Sequence, residues 1–186
     1  RAVLADGRTL EFAGVPLPDG NGLLTVLDIT DSQKAEEALK QRAAALEEAD
    51  AIVFGSPTYM GGVSADFKKF ADASSKPWFG QKWKNKIAGG FTNSATMNGD
   101  KGSTIQYLIT LSMQHGMIWV GTGLMPANSS TAQRNDVNYV GGFSGALAQS
   151  PSDLGPEGGP LPGDLETARL YGERIAQITK QFKGVA

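Results

Sequence analysis

The sequence predicts an α/β fold, a doubly wound parallel sheet, and three observations carry that prediction. From Ala51 onward, short apolar runs alternate with helix-patterned segments. The runs Ala51 to Gly55, Lys86 to Phe91 and Met117 to Val120 are brief and continuous, as expected of parallel strands buried on both faces. The first two lead into loops rich in glycine, hydroxyl and amide residues, at the strand ends where such sheets bind ligands.

The elements follow in order. Arg8 to Ala13 alternates like a half-buried strand, and Gly22 to Ile29 reads as a second. The turn-forming PLPDGNG between them makes the pair a β-hairpin with a wide loop. Thr30 to Gln33 offers a capping box, and a helix to about Glu48 carries Ala35, Leu39, Ala43 and Leu46 on one stripe. A helix from about Ser64 to Ala73 follows the Ala51 strand, and one from about Thr104 to Gln114 follows the Lys86 strand. A long Gly/Pro-rich segment after Val120 is of the kind that is usually functional or mobile. The closing helix starts at a cap, Asp164, with Ala168, Gly172, Ile175, Ala176 and Phe182 on its inner side.

Composition narrows the chemistry. The 186 residues suit one domain, or one domain with an appendage. A net charge of −2 without a basic block argues against nucleic acid, whose phosphates need clustered Lys and Arg. There is no cysteine, and the one histidine, His115, makes no His-based zinc site, so no metal site is expected. Redox chemistry would have to come from a bound cofactor. No apolar run reaches membrane-spanning length and no signal peptide is visible, so the expectation is a soluble cytoplasmic protein without a membrane partner. The first residue is Arg1 rather than Met, which leaves a longer parent chain as an open reading.

The loops SPTYMGG and TNSATMNGDKG present backbone N–H and C=O groups at close range, and Tyr59, Met60 and Trp78 offer apolar walls for a flat ring. Neither loop has a P-loop lysine and no GxGxxG follows a strand. Plain turn chemistry competes with this reading. Trp78 has a second reading as a cap on the sheet edge, and His115 reads first as a partner of a helix C-terminus.

Four segments, ADAIVFGSPTYMGGVSADFKKFAD, KIAGGFTNSATMNGDK, QHGMIWVG and DLETARLYGERIA, together resemble the flavodoxin-like NAD(P)H:quinone oxidoreductases, also called WrbA-like or tryptophan-repressor-binding proteins. The resemblance runs from about Ala49 to Lys183 and implies a flavodoxin-like sheet, FMN as cofactor, NAD(P)H as co-substrate and two-electron reduction of quinones. It places Thr58, Tyr59 and Met60, flanked by Pro57 and Gly61, against the isoalloxazine ring. Asn93, Ser94, Ala95, Thr96, Met97 and Asn98 would form the second ring-binding loop. Trp78, Gln114 and His115 would lie on the substrate side, and Gln114, where the family often has a first histidine that contacts the flavin site, is also a cofactor-binding candidate. A homo-oligomer acting on quinone and nicotinamide small molecules is implied too.

Residues 1–48 are similar instead to the end of a PAS domain, its last two strands and signalling helix. The expected organisation is therefore a PAS-derived hairpin and helix over 1–48 and a flavodoxin-like domain over 49–186 that lacks its first two strands. A right-handed crossover would set Leu23 to Ile29 parallel beside Ala51 to Phe54, in the place of the missing first strand. The substitute phosphate loop, DITDSQK, has no glycine and carries Asp28 and Asp31. Losing two or three charge-assisted hydrogen bonds to phosphate, each worth about 1.5–3 kcal/mol, weakens FMN affinity by roughly three or more orders of magnitude. The alternative is a PAS-linked signalling fragment, or a truncated flavodoxin-like protein with weak or no FMN binding.

Overall fold

The computed structural model describes residues 2–3, 9–16, 22–28, 45–155 and 157–184, the first three stretches as backbone. The chain divides into two compact units, Arg1–Ala45 and Leu46–Ala186.

In the first unit β1 (Ala2–Val3), β2 (Thr9–Pro16) and β3 (Gly22–Asp28) form an antiparallel sheet in that order. The β2–β3 hairpin runs from Leu10↔Asp28 to Pro16↔Gly22. Of the helix expected over residues 30–48, only 45–48 are described, and they are helical. β3 pairs antiparallel with β2. The connection of the expected crossover, residues 29–44, lies outside the described residues.

In the second unit β4 (Ala51–Tyr59), β6 (Ile87–Ser94), β7 (Ile118–Trp119) and β8 (Ala146–Gln149) make the parallel sheet, with the short β5 (Gly62–Val63) folded back on β4. β6 is central. It pairs with β4 from Ala51↔Ile87 to Pro57↔Asn93, with β7 at its start and with β8 at its end. β7 and β8 together do the work of one strand, interrupted by the long segment 120–145. On the side of β4 away from β6, no described strand lies along Ala51–Pro57.

α1 (Ala65–Ala73) starts at Ser64, whose hydroxyl accepts from the Phe67 amide at 3.2 Å. A five-residue helix, α2 (Ser75–Phe79), then leads toward β6. α3 (Lys101–Gln114) returns the chain from the end of β6 to the start of β7, and α4 (Pro162–Lys183) closes the fold.

One face of β4 is buried through Ile52, Phe54, Ser56 and Thr58, in a core with Trp83, Leu108 and Met117. Ile87, Val120, Ala146, Tyr171 and Ile175 form the core on the α4 side. The glycine pair of KIAGGF permits this packing. A Cβ on Gly89 would stand 2.5 Å from Ile175 Cδ1, and one on Gly90 would stand 2.7 Å from the Trp119 ring.

The structure departs from three expectations. β4 is buried on one face only, with Val53 exposed on the other. α4 buries Thr167, Tyr171 and Ile175, while Ala168, Gly172, Ala176 and Phe182 are exposed. Val53, Phe91, Ala168 and Gly172 line an open apolar cavity of about 200 Å³ between the sheet and α4. Asp164 is not the cap of α4 either. It lies in the first turn, and its carboxylate is turned toward Arg134.

Candidate functional site

The carboxyl ends of β4 and β6 lie side by side, so the two loops named from the sequence are neighbours. β4 runs on through Pro57, Thr58 and Tyr59 and turns at Met60 and Gly61 into β5, pairing Thr58↔Val63 and Tyr59↔Gly62. Both turn residues have positive φ, 48° and 75°, the two-residue hairpin turn that matches strand twist. Tyr59 is 65% exposed and Met60 fully so, which presents a phenol and a thioether at the sheet's end.

Thr58 does something else. Its hydroxyl is buried and lies 2.7 Å from that of Thr92 and 2.8 Å from that of Thr104. This hydroxyl cluster ties β4, β6 and α3 together beneath the loops. The Thr58 hydroxyl is thus engaged inside the protein, while Tyr59 and Met60 beside it are exposed.

In the second loop the side chains of Ala95, Thr96, Met97 and Asn98 are all exposed. Asn93 Nδ2 donates to the Ser150 hydroxyl at 2.9 Å, while its buried Oδ1 has no partner. The loop's carbonyls are held from below: Gln149 Nε2 donates to Ala95 O at 3.0 Å, and Lys101 Nζ to Thr96 O at 2.6 Å and Met97 O at 3.0 Å. Lys101 is 1% exposed, and burial pushes its ammonium pKa down from the ordinary lysine value.

Beside it, Arg134 makes a two-pronged contact with Asp164, 2.9 and 2.6 Å, which also accepts from the Gln149 amide. The hydrogen bond to Asp164 holds the Arg134 pKa above its usual value.

Within one chain, Gln114 ends α3 and His115 caps it, and 13 rises of about 1.5 Å separate Gln114 from Lys101, whose side chain touches the loop. Gly116 O there accepts from the amide of Asn85, just before β6 begins, which fixes that position at the opposite end of the strands.

His115 is a buried structural residue, stacked 4.1 Å from Trp83 with Nε2 2.8 Å from the Ser74 hydroxyl. That hydroxyl gives its proton to Ala71 O, so Nε2 carries the imidazole proton, and the buried Nδ1 has no partner. Burial lowers its pKa.

Trp78 is 42% exposed on α2, between Ser74 and Trp83, the two residues that hold His115. No described contact brings it to the loops of its own chain.

Lys101, Gln149, Ser150, Arg134 and Asp164 escaped the sequence reading as site residues. One signal was present: a lysine in the first turn of a helix opposes the helix dipole and calls for a local reason.

A parallel sheet with helices on both faces and two loops at adjacent strand ends defines the open α/β class, in which ligands bind beyond the carboxyl ends of the strands. The crystal structure of a WrbA-like flavodoxin from Agrobacterium tumefaciens matches with a TM-score of 0.58 at 50% identity, covering 75% of this chain and 72% of that one. The fold is flavodoxin-like. The sequence model of the family described as NADPH-dependent FMN reductase matches residues 2–132, and the chain belongs to that family.

Flavodoxin FldP of Pseudomonas aeruginosa (strain UCBPP-PA14) is 53% identical over 137 residues, 74% of each chain. The NAD(P)H dehydrogenase (quinone) of Solidesulfovibrio magneticus (strain ATCC 700980 / DSM 13731 / RS-1) is 30% identical over 180 residues, 95% of this chain and 85% of that protein. FMN is the cofactor of this family and NAD(P)H its electron donor.

The family match runs through residues 2–48, the segment likened above to a PAS tail, and the antiparallel sheet there carries no PAS assignment.

The ring end of FMN fits what is seen: an exposed aromatic hairpin faces a loop whose carbonyls are turned inward, beside an unpartnered buried amide oxygen. The substitute phosphate loop DITDSQK lies outside the described residues apart from Asp28. No helix among the described residues is long and apolar enough to cross a membrane.

Proposed function

We propose that this chain is an FMN-dependent NAD(P)H:quinone oxidoreductase, with the flavin ring between the Tyr59–Met60 hairpin and the Asn93–Asn98 loop. The carrying observation is that these two loops end adjacent parallel strands, β4 and β6, and expose an aromatic face beside unpaired backbone amides. Bound FMN supplies hydride acceptance from the nicotinamide and two-electron transfer to a quinone.

The protein's part is positional. Tyr59 and Met60 cover apolar ring surface, Pro57 and Gly61 fix the hairpin that carries them, and the backbone of Ala95–Asn98 provides donors for negative charge that develops on the ring. Ser94 steadies that loop, since its hydroxyl donates to Thr96 O at 3.2 Å. A homo-oligomer is proposed with it, because Met60, Phe79 and Phe143 leave large apolar side chains exposed on one chain.

Titration of the purified chain with FMN, followed by NADH- and NADPH-driven reduction of a soluble benzoquinone, tests this reading. The expected result is FMN binding on addition rather than stoichiometric co-purification, with quinone reduction dependent on added FMN. No binding at millimolar FMN would reject it.

A further inference from the structure

Three consecutive carbonyls, those of Ala95, Thr96 and Met97, each accept a hydrogen bond from a side chain behind the second loop, and Thr96 O also accepts from the Ser94 hydroxyl. Gln149 Nε2 takes the first and Lys101 Nζ the other two. The peptides here are trans. In a trans peptide the N–H of the next residue points opposite to the carbonyl. Fixing these carbonyls inward therefore aims the amides of Thr96, Met97 and Asn98 outward. Among the described hydrogen bonds none is donated by those three amides. The loop surface is thus a row of free donors, the kind of concavity that binds developing negative charge.

The charges behind the loop act in the same direction. Lys101, Arg134 and Asp164 lie close enough to influence one another, and Arg134 and Asp164 neutralise each other in their paired contact. One positive charge, the Lys101 ammonium, is left over. A lysine this deeply buried is costly to keep charged, and spending it on two loop carbonyls makes sense where the loop's shape matters. Burial lowers its pKa, and the nearby Asp164 carboxylate opposes that shift.

We infer that Lys101, seconded by Gln149, is a positioning residue for the cofactor: it presets the Thr96–Asn98 amides toward the flavin ring and favours the reduced, more negatively charged ring over the oxidised one. The inference rests on the FMN reading above. It adds a residue that does not itself touch the ring.

The test compares wild type with Lys101→Met, Lys101→Arg and Gln149→Ala by two readouts. The first is 15N relaxation of the protein without added flavin. The expected result is rigid backbone order at residues 96–98 in wild type, about 0.85, falling below about 0.6 in Lys101→Met and, at Thr96, in Gln149→Ala. The second is the affinity for oxidised and for reduced FMN. Lys101→Met should weaken oxidised FMN about tenfold and reduced FMN about a hundredfold. That tenfold difference equals a midpoint potential lower by about 30 mV for a two-electron couple. Lys101→Arg, which keeps the cation, should recover much of the shift.

Unchanged loop order together with an unchanged midpoint in a folded Lys101→Met overturns the inference. If Lys101→Met does not fold, Gln149→Ala decides by the order of Thr96. If wild type binds no FMN, the functional reading falls, and the relaxation readout still decides whether Lys101 sets the loop.

Discussion

Arg134 and Asp164 meet through two parallel hydrogen bonds, and the same carboxylate accepts from the Gln149 backbone amide at 2.9 Å. This pair joins the long segment after β7 to the first turn of α4 and to the end of β8, directly beneath the second loop. Asp164 is 3% exposed, so its charge depends on these partners. Arg134→Ala should destabilise the protein by about 3 kcal/mol, because a buried carboxylate is left without its counter-ion. Urea unfolding checks this through a lower midpoint with an unchanged slope. An unchanged midpoint would mean that the pair contributes nothing.

His115 predicts a pH dependence. Its folded pKa lies below the unfolded value of about 6.5, since burial disfavours the charged ring and Nδ1 has no acceptor to offer a proton. Above that value both states are neutral and His115 adds no slope. As pH falls below it, the unfolded chain takes up a proton that the folded one resists, so stability declines. Unfolding free energies measured from pH 7.5 to 5 should fall more steeply for wild type than for His115→Gln. Parallel curves would refute the assignment.

Thr58 and Tyr59 are adjacent in sequence and opposite in role. Thr58→Val strands the hydroxyls of Thr92 and Thr104 and should cost about 1–3 kcal/mol of stability. Tyr59→Ala removes a largely exposed side chain and should change stability by no more than about 0.5 kcal/mol while weakening FMN binding. Thermal melts and flavin fluorescence on the two variants separate these effects. The reverse pattern would place Tyr59 in the core and Thr58 at the ring.

Gly89→Ala tests the packing of the central strand. The added methyl meets Ile175 Cδ1 at 2.5 Å and the Tyr171 hydroxyl at 2.7 Å. Tyr171 is itself fixed, donating to Val120 O and accepting from the Gly90 amide. A loss of about 1–3 kcal/mol by chemical denaturation is expected. A neutral substitution would show that α4 sits farther from β6.

Much of this was legible in the residues. Apolar runs interrupted by Gly, Ser and Asn located β4, β6 and the loops at their ends, because strand burial and turn chemistry are local. Ser64 announced α1 for the same reason. What stayed hidden depends on contacts far apart in sequence. β8 pairs with β6 across the whole of α3 and the segment 120–145, and no periodicity marks four residues as a strand. Thr58 looked like a loop residue because Gly61 and Gly62 follow it, yet β4 runs on to Tyr59. His115 reads from the residues as a helix-end partner and does cap α3, whose length sets it, within one chain, at the opposite end of the strands from the loops. The pattern of α4 predicts an inner face suited to a fully covered sheet, whereas Val53 and Phe91 remain open beneath it.

The most direct measurement is an amide NMR titration of the chain with FMN. The account predicts shifts concentrated at Tyr59 to Gly61 and at Ala95 to Asn98, with His115 and Trp83 unmoved. Shifts centred on His115 and Gln114, or none at either loop, would contradict it.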